Sequence, residues 1–174
     1  MNETAKQRIY LLSTGGTIEK VYSEQTGSVI NVETKIERYL RQLRLPAAEV
    51  SVTHVMNKDS LDMTDQDREQ VHVAVRAALE KPAPIVISHG TDTMVQTGLY
   101  LEQRLPGLTV PIILTGAMTP LGFEGTDGLQ NLTESLFAAR LLPEGIHVVM
   151  HSQAFPIRHV RKDRALAQFV WTEN

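Results

Sequence analysis

The sequence predicts an α/β domain, a doubly wound and mostly parallel sheet with helices on both faces, and three observations carry that prediction. Short, fully apolar runs such as Ile85-Val86-Ile87 and Pro111–Thr115 read as strands buried on both sides. Longer segments with apolar residues at helical spacing lie between them. Strands and helices alternate along the chain, the order expected of βαβ units. The 174 residues suffice for one domain with a substantial core.

Each element has its own justification. Ile9–Leu12 is an apolar run halted by Ser13-Thr14-Gly15-Gly16. Glu33 to Leu45 carries Ile36, Tyr39, Leu40 and Leu43 on one helical face, with Pro46 beyond its end. Val50–Val55 alternates apolar and polar residues and reads as a second strand. Thr64-x-x-Asp67 has the form of a helix start, after which Val71, Val75, Ala78 and Leu79 define an apolar stripe. Ile85–Ile87 is the third strand. The turn His89-Gly90-Thr91-Asp92 leads into a helix ending near Arg104. Pro111–Thr115 is the fourth strand, and a glycine-rich loop from Gly116 to Gly128 is expected to be mobile. Leu129 to Leu142 regains helical spacing through Leu132, Leu136 and Ala139, and Ile146–Met150 is the fifth strand. The tail, with Ile157, Val160, Leu166 and Phe169-Val170-Trp171, has no clear periodicity.

Composition narrows the function. There are 17 basic and 20 acidic residues, a formal charge of −3, which lacks the basic excess of a nucleic-acid binder. The absence of cysteine excludes disulfides, thiolate zinc sites and a thiol nucleophile. No apolar run approaches the roughly 18 residues of a membrane span. Met1 to Arg8 is polar, no secretory leader is read there, and a cytoplasmic location is expected. His147-x-x-x-His151 could put two imidazoles on one face, yet no third ligand is apparent, so no metal and no cofactor are expected.

In open parallel sheets ligands bind beyond the carboxyl ends of the strands. Those ends carry Thr14-Gly15-Gly16-Thr17, Lys58-Asp59-Ser60-Leu61-Asp62, Ser88-His89-Gly90-Thr91-Asp92 and Thr115-Gly116-Ala117-Met118. Hydroxyls there can serve as nucleophiles, carboxylates as orienting groups and a lysine as a base. The phosphate fingerprints G-x-G-x-x-G and G-x-x-x-x-G-K-[ST] are missing after the first strand.

Taken in order, these motifs resemble the bacterial-type L-asparaginases. The resemblance rests on Thr14-Gly15-Gly16-Thr17-Ile18, Asp59-Ser60-Leu61-Asp62-Met63, His89-Gly90-Thr91-Asp92-Thr93-Met94, Leu114-Thr115-Gly116-Ala117-Met118 and Gly128-Leu129-Gln130-Asn131-Leu132. It implies one domain over residues 1–174 like the family's N-terminal domain, in a short form lacking the C-terminal one. It implies hydrolysis of L-asparagine to L-aspartate and ammonia; with Ser60 and Asp92 as the fixed anchors and Leu61 adding none, low activity on glutamine is expected.

The resemblance also implies roles. Thr17 matches the nucleophile and Tyr22 the tyrosine of the loop covering it, Glu19 to Gly27. Ser60 matches the serine that holds the α-carboxylate. Thr91 and Asp92 match the second threonine and the acid that contacts the α-ammonium. Lys162 matches the family lysine, with Arg158-His159-Val160-Arg161-Lys162 standing where the family has Arg-Asp-Val-x-Lys. His159 departs from that pattern, and Leu61 stands where many members carry a polar residue. A homo-oligomer, dimer or tetramer, is expected. The alternative is a non-catalytic domain that binds a small amino acid, or a subunit of an amidotransferase assembly.

Overall fold

A computed structural model describes residues 6–172. The polar N-terminal stretch therefore falls partly outside the described residues, while the apolar Phe169-Val170-Trp171 lies within them. Among the described residues there are ten strands and four α-helices: the five expected strands alternate with the helices, and five short strands that the sequence did not predict are added to them. β1 (Gln7–Gly15) leads through a 3-10 turn to the hairpin β2 (Val21–Ser23) and β3 (Ser28–Ile30), then α1 (Ile36–Leu40) and β4 (Ala48–Lys58). α2 (Asp65–Leu79), β5 (Ile85–Ser88), α3 (Met94–Arg104), β6 (Pro111–Thr115), α4 (Gly128–Ala138) and β7 (Gly145–Met150) complete the wound portion. The tail supplies β8 (Gln153–Pro156), β9 (Val160–Asp163) and β10 (Gln168–Trp171).

The main sheet has the order β4-β1-β5-β6-β7-β8. Its first five strands are parallel and β8 is an antiparallel edge, joined to β7 through His151 and Ser152, both at positive φ. From β1 the chain moves outward to β4, then crosses back to β5 on the other side. The direction of winding therefore reverses between β1 and β5, and the crevice at such a reversal is where doubly wound sheets bind ligands.

Alternation along each strand feeds two cores. Leu12, Ile85, Ile87, Ile112 and Leu114 pack with Val71, Val75, Met94 and Leu101 of α2 and α3. Ile9, Leu11, Val86 and Ile113 face the other way, against Ile36, Leu132 and Leu136 of α1 and α4. A third cluster of Ile18, Ala117 and Leu121 lies beneath the loops that follow β1 and β6.

The structure corrects several expected boundaries. The helix expected over Glu33–Leu45 contracts to five residues, because beyond Leu40 the backbone tightens into i→i+3 bonds such as Leu43 N–H to the Leu40 carbonyl. The same tightening, Leu141 N–H to the Ala138 carbonyl, ends α4 at Ala138. α3 begins at Met94; the side-chain oxygen of its cap residue Thr93 accepts no helix N–H, and its hydroxyl donates to the Ser60 carbonyl (2.8 Å). The loop after Gly116 is tied down rather than loose: Asp127 accepts from the backbone N–H groups of Met118 and Thr119. The tail, without periodicity in sequence, forms three four-residue strands too short to show one.

Gly98 sits in the middle of α3, where a Cβ would lie 2.3 Å from Cδ1 of Ile157 and 3.1 Å from Cδ1 of Leu114. On an exposed helix Gly→Ala gains about 1 kcal/mol. Here the tail packs where the methyl would go, so Gly98→Ala should instead lose about 1–3 kcal/mol, read as a lower urea midpoint at unchanged slope.

Candidate active site

The site begins with two glycines. Gly16 follows β1 at φ 77°, ψ −173°, a conformation that only glycine adopts readily. A Cβ there would lie 2.3 Å from the Gly90 nitrogen and 2.4 Å from its Cα. A Cβ on Gly90 would in turn lie 2.5 Å from Cβ and Oγ of Ser60. The turns after β1 and β5 are thus stacked backbone on backbone, and the turn after β4 packs its Ser60 side chain against Gly90, which brings Thr17, Thr91 and Ser60 into one cluster. Gly116 adds the turn after β6: its Cβ would meet the His89 carbonyl at 2.3 Å.

His89 locks the middle turn. It is fully buried, and its Nδ1 donates to the Gly90 carbonyl (2.8 Å). A carbonyl can only accept, so Nδ1 carries the proton and Nε2 accepts from the Thr97 hydroxyl (2.8 Å). Burial pushes this imidazole down to about pKa 4, more than the bond to Gly90 raises it. At neutral pH the ring is an uncharged bracket that fixes the peptide entering Thr91.

Lys162 reaches the same point from β9. Its Nζ donates to Thr91 Oγ1 (2.7 Å) and to Asp92 Oδ1 (3.0 Å), bridging about seventy residues of chain. Phe169, buried on β10 opposite Lys162, anchors that strand. Because Nζ donates to Oγ1, the Thr91 hydroxyl must turn its own hydrogen toward a different acceptor. Ser60 is 1% exposed, and its Oγ has no hydrogen-bond partner among the described residues. An orphan buried hydroxyl suits a polar group brought in by a ligand.

Tyr22 stands apart. It lies on β2, 59% exposed, and no hydrogen bond joins it to Thr17, Thr91, Asp92 or Lys162. The segment expected as a flap is also narrower than Glu19–Gly27. Glu19 is completely buried, accepting from Ser13 Oγ (2.8 Å) and from the Lys35 N–H. Lys35 Nζ donates to the carbonyls of Lys20 and Leu121, and burial lowers its pKa against the pull of Glu19. The excursion therefore starts after Lys20 and is closed at its foot by Asn31, whose Nδ2 donates to the Gly16 carbonyl (2.9 Å) and Asn57 Oδ1 (2.9 Å). The N–H of Thr91 does not open a helix, since α3 starts three residues later.

Sequence reasoning missed Glu19, Lys35, Asn31 and Arg164. Their partners are remote in sequence, and a lone charged or amide residue gives no local signal. Lys20 pairs with Asp59 and Lys58 with Asp67, holding the Ser60 turn from both sides. The Asp59 carboxyl is lowered because its bonds to Lys20 and the Leu61 N–H outweigh the opposing burial. The Lys58 ammonium and the Thr64 N–H bring Asp67 down to about 2. Among the described residues no three His, Asp or Glu side chains converge as a metal site would need. His151 instead pairs with Asp127 (2.8 Å).

Comparison with known proteins adds the following. A family model described as asparaginase, N-terminal, matches residues 8–168. The chain is 34% identical over 143 residues to L-asparaginase 1 of Escherichia coli (strain K12), covering 79% of this chain and 42% of that protein. It is 32% identical over 150 residues to a glutamyl-tRNA(Gln) amidotransferase subunit of Methanococcus vannielii, covering 84% of this chain and 35% of that one. Its structure resembles the thermostable L-asparaginase from Thermococcus kodakarensis with a TM-score of 0.84 at 28% identity, covering 95% of this chain and 51% of that one. The chain thus spans less than half the length of the curated relatives it matches.

The geometry makes two outcomes testable. Gly16→Ala should cost about 3 kcal/mol or more, since strain and backbone overlap combine. Gly27→Ala, also at positive φ but with nothing within 4 Å, should cost only about 1 kcal/mol in the same urea titration. The buried neutral His89 makes the unfolded chain the better proton binder below its ordinary pKa of 6.5. Stability should fall as pH drops from 6.5 toward 4, by about 3 kcal/mol in all from this group, then lose the Asp67 contribution between 3.8 and 2. In His89→Asn, which keeps a donor for Gly90, the first of these slopes should flatten.

Proposed function

The chain belongs to the asparaginase family, and on that premise we propose that it hydrolyses L-asparagine to L-aspartate and ammonia through a threonine nucleophile. The observation that carries the proposal is the chain Asp92–Lys162–Thr91, hydrogen-bonded through one ammonium beside the Thr17 turn.

Thr17 Oγ1 attacks the side-chain amide carbon. The hydroxyl proton passes to the departing nitrogen, the C–N bond breaks and ammonia leaves, with the aspartyl group held as an ester on Thr17. Water then attacks the ester, releasing aspartate and restoring the Thr17 hydroxyl. Lys162, steadied by Asp92, sets the Thr91 hydroxyl so that its hydrogen and remaining lone pair face the reacting groups. Backbone N–H groups in the stacked turns are suited to the developing oxyanion. Ser60 Oγ receives the α-carboxylate, Asp92 the α-ammonium, and Tyr22 is carried over the nucleophile when the β2–β3 hairpin closes. No cofactor or metal enters these steps.

A pocket that senses only one extra methylene discriminates by about 1–3 kcal/mol. Anchors at a fixed distance from Thr17 sharpen this, so glutamine should be a poor substrate. Leu61, 62% exposed and unable to accept a hydrogen bond, leaves the α-ammonium short of partners, so a high KM for asparagine is expected. We place the protein in the cytoplasm and expect a dimer or tetramer, to be checked by analytical ultracentrifugation.

A second reading is a component of an amidotransferase assembly, or a domain that binds an amino acid without turnover. It is favoured by the likeness to the M. vannielii amidotransferase protein. Ammonia release separates the two. Wild type should release ammonia from asparagine at least tenfold more efficiently, in kcat/KM, than from glutamine. Thr17→Ala and Thr91→Ala should each lose about 10³-fold or more in kcat. Substantial turnover surviving in both variants rules out the threonine mechanism, and saturable calorimetric binding without turnover favours the second reading.

A further inference from the structure

Asp92 is the carboxylate bonded to the Thr91–Lys162 pair, and its Oδ1 meets two cations. Besides accepting from Lys162 Nζ at 3.0 Å it forms an ion pair with Arg164 Nη2 at 2.8 Å. Two cations thus share one oxygen of one anion, and the neighbouring carboxylates do not redress the balance. Asp59 is engaged by Lys20, and Asp163 by Arg161 at 3.2 Å. In these pairs four cations, Lys20, Arg161, Lys162 and Arg164, meet three carboxylates, Asp59, Asp92 and Asp163.

Arg164 is placed there by construction. It opens the turn between β9 and β10, whose backbone Asp163 gathers by accepting from the N–H groups of Ala165 (3.1 Å) and Leu166 (3.2 Å). From that stem the side chain reaches Asp92 while staying 70% exposed, so its head can leave Asp92 at small cost. Leu61, exposed and apolar, follows Ser60, whose buried hydroxyl has no partner among the described residues.

We propose that Arg164 is a specificity-determining residue that occupies the place of a substrate's α-ammonium on Asp92. The site then takes ω-amides of dicarboxylic acids without an α-amino group, the succinamate class, on nearly equal terms with asparagine. The inference rests on the hydrolase reading for which end of the substrate meets Asp92. Its physics is independent: a zwitterion must bring a cation to a cationic corner and displace a guanidinium, whereas an amide monoanion displaces nothing and gains the charge.

The test compares kcat/KM for L-asparagine and succinamate in wild type, Arg164→Gln and Arg164→Lys. In wild type the asparagine-to-succinamate ratio should stay below about tenfold. In Arg164→Gln it should rise by about three- to tenfold, through a lower KM for asparagine, while Arg164→Lys returns toward wild type. Should neither amide be turned over, the hydrolase reading fails, and calorimetry with L-aspartate and succinate makes the same comparison as a ratio of Kd values. A ratio that does not rise in Arg164→Gln, in whichever assay applies, overturns the role of Arg164.

Discussion

The contact between the Gly16 and Gly90 backbones is the constraint from which the rest of the site follows. β1 and β5 are neighbours in the sheet, and a Cβ at position 16 would overlap the Gly90 backbone, so their turns can meet only where residue 16 carries none. That approach makes the Thr17 and Thr91 turns adjacent, although about seventy residues of chain lie between them. Gly90 in turn leaves room for the Ser60 side chain, which brings in the third turn. The catalytic proposal therefore depends on atoms that are missing from side chains as much as on hydroxyls that are present.

Around this stack, charged groups hold loops rather than strengthen the core. Asp127 gathers the turn after β6, Glu19 and Lys35 fix the foot of the β2–β3 hairpin, and Lys20 and Lys58 flank the Ser60 turn. Ion pairs near the surface, such as Lys20–Asp59, contribute little stability. Their value lies in geometry, because a reacting atom misplaced by an ångström forfeits most of the rate that positioning supplies. His89 serves the same end without charge, since burial keeps its ring neutral and its two bonds fix the tautomer.

The tail has an importance out of proportion to its size. β9 and β10 form a separate two-stranded ribbon, yet they deliver Lys162 to Thr91 and Arg164 to Asp92. One short hairpin thus sets both the orientation of a candidate catalytic hydroxyl and the charge that a substrate meets. The ribbon is seated by Phe169 in the core and by Trp171 against Phe155, ring centroids 5.0 Å apart.

Much of this was legible in the sequence. Apolar runs at Ile85–Ile87 and Pro111–Thr115 specify strands buried on both faces, and Thr64-x-x-Asp67 specifies the start of α2, because these signals are local and periodic. The turn motifs carrying Thr17, Ser60, Thr91 and Asp92 are contiguous, so they too can be read, together with the family they resemble. The sequence could not show that Glu19 is buried, that Asn31 closes the hairpin, that Lys35 joins two distant carbonyls, or that Arg164 shares Asp92 with Lys162. It also could not show α1 stopping after five residues or the tail folding into short strands. The placements of Glu19, Asn31, Lys35 and Arg164 depend on partners elsewhere along the chain that only the closing of the sheet brings within reach, whereas α1 ends in local i→i+3 bonds and the tail strands are too short to show a period.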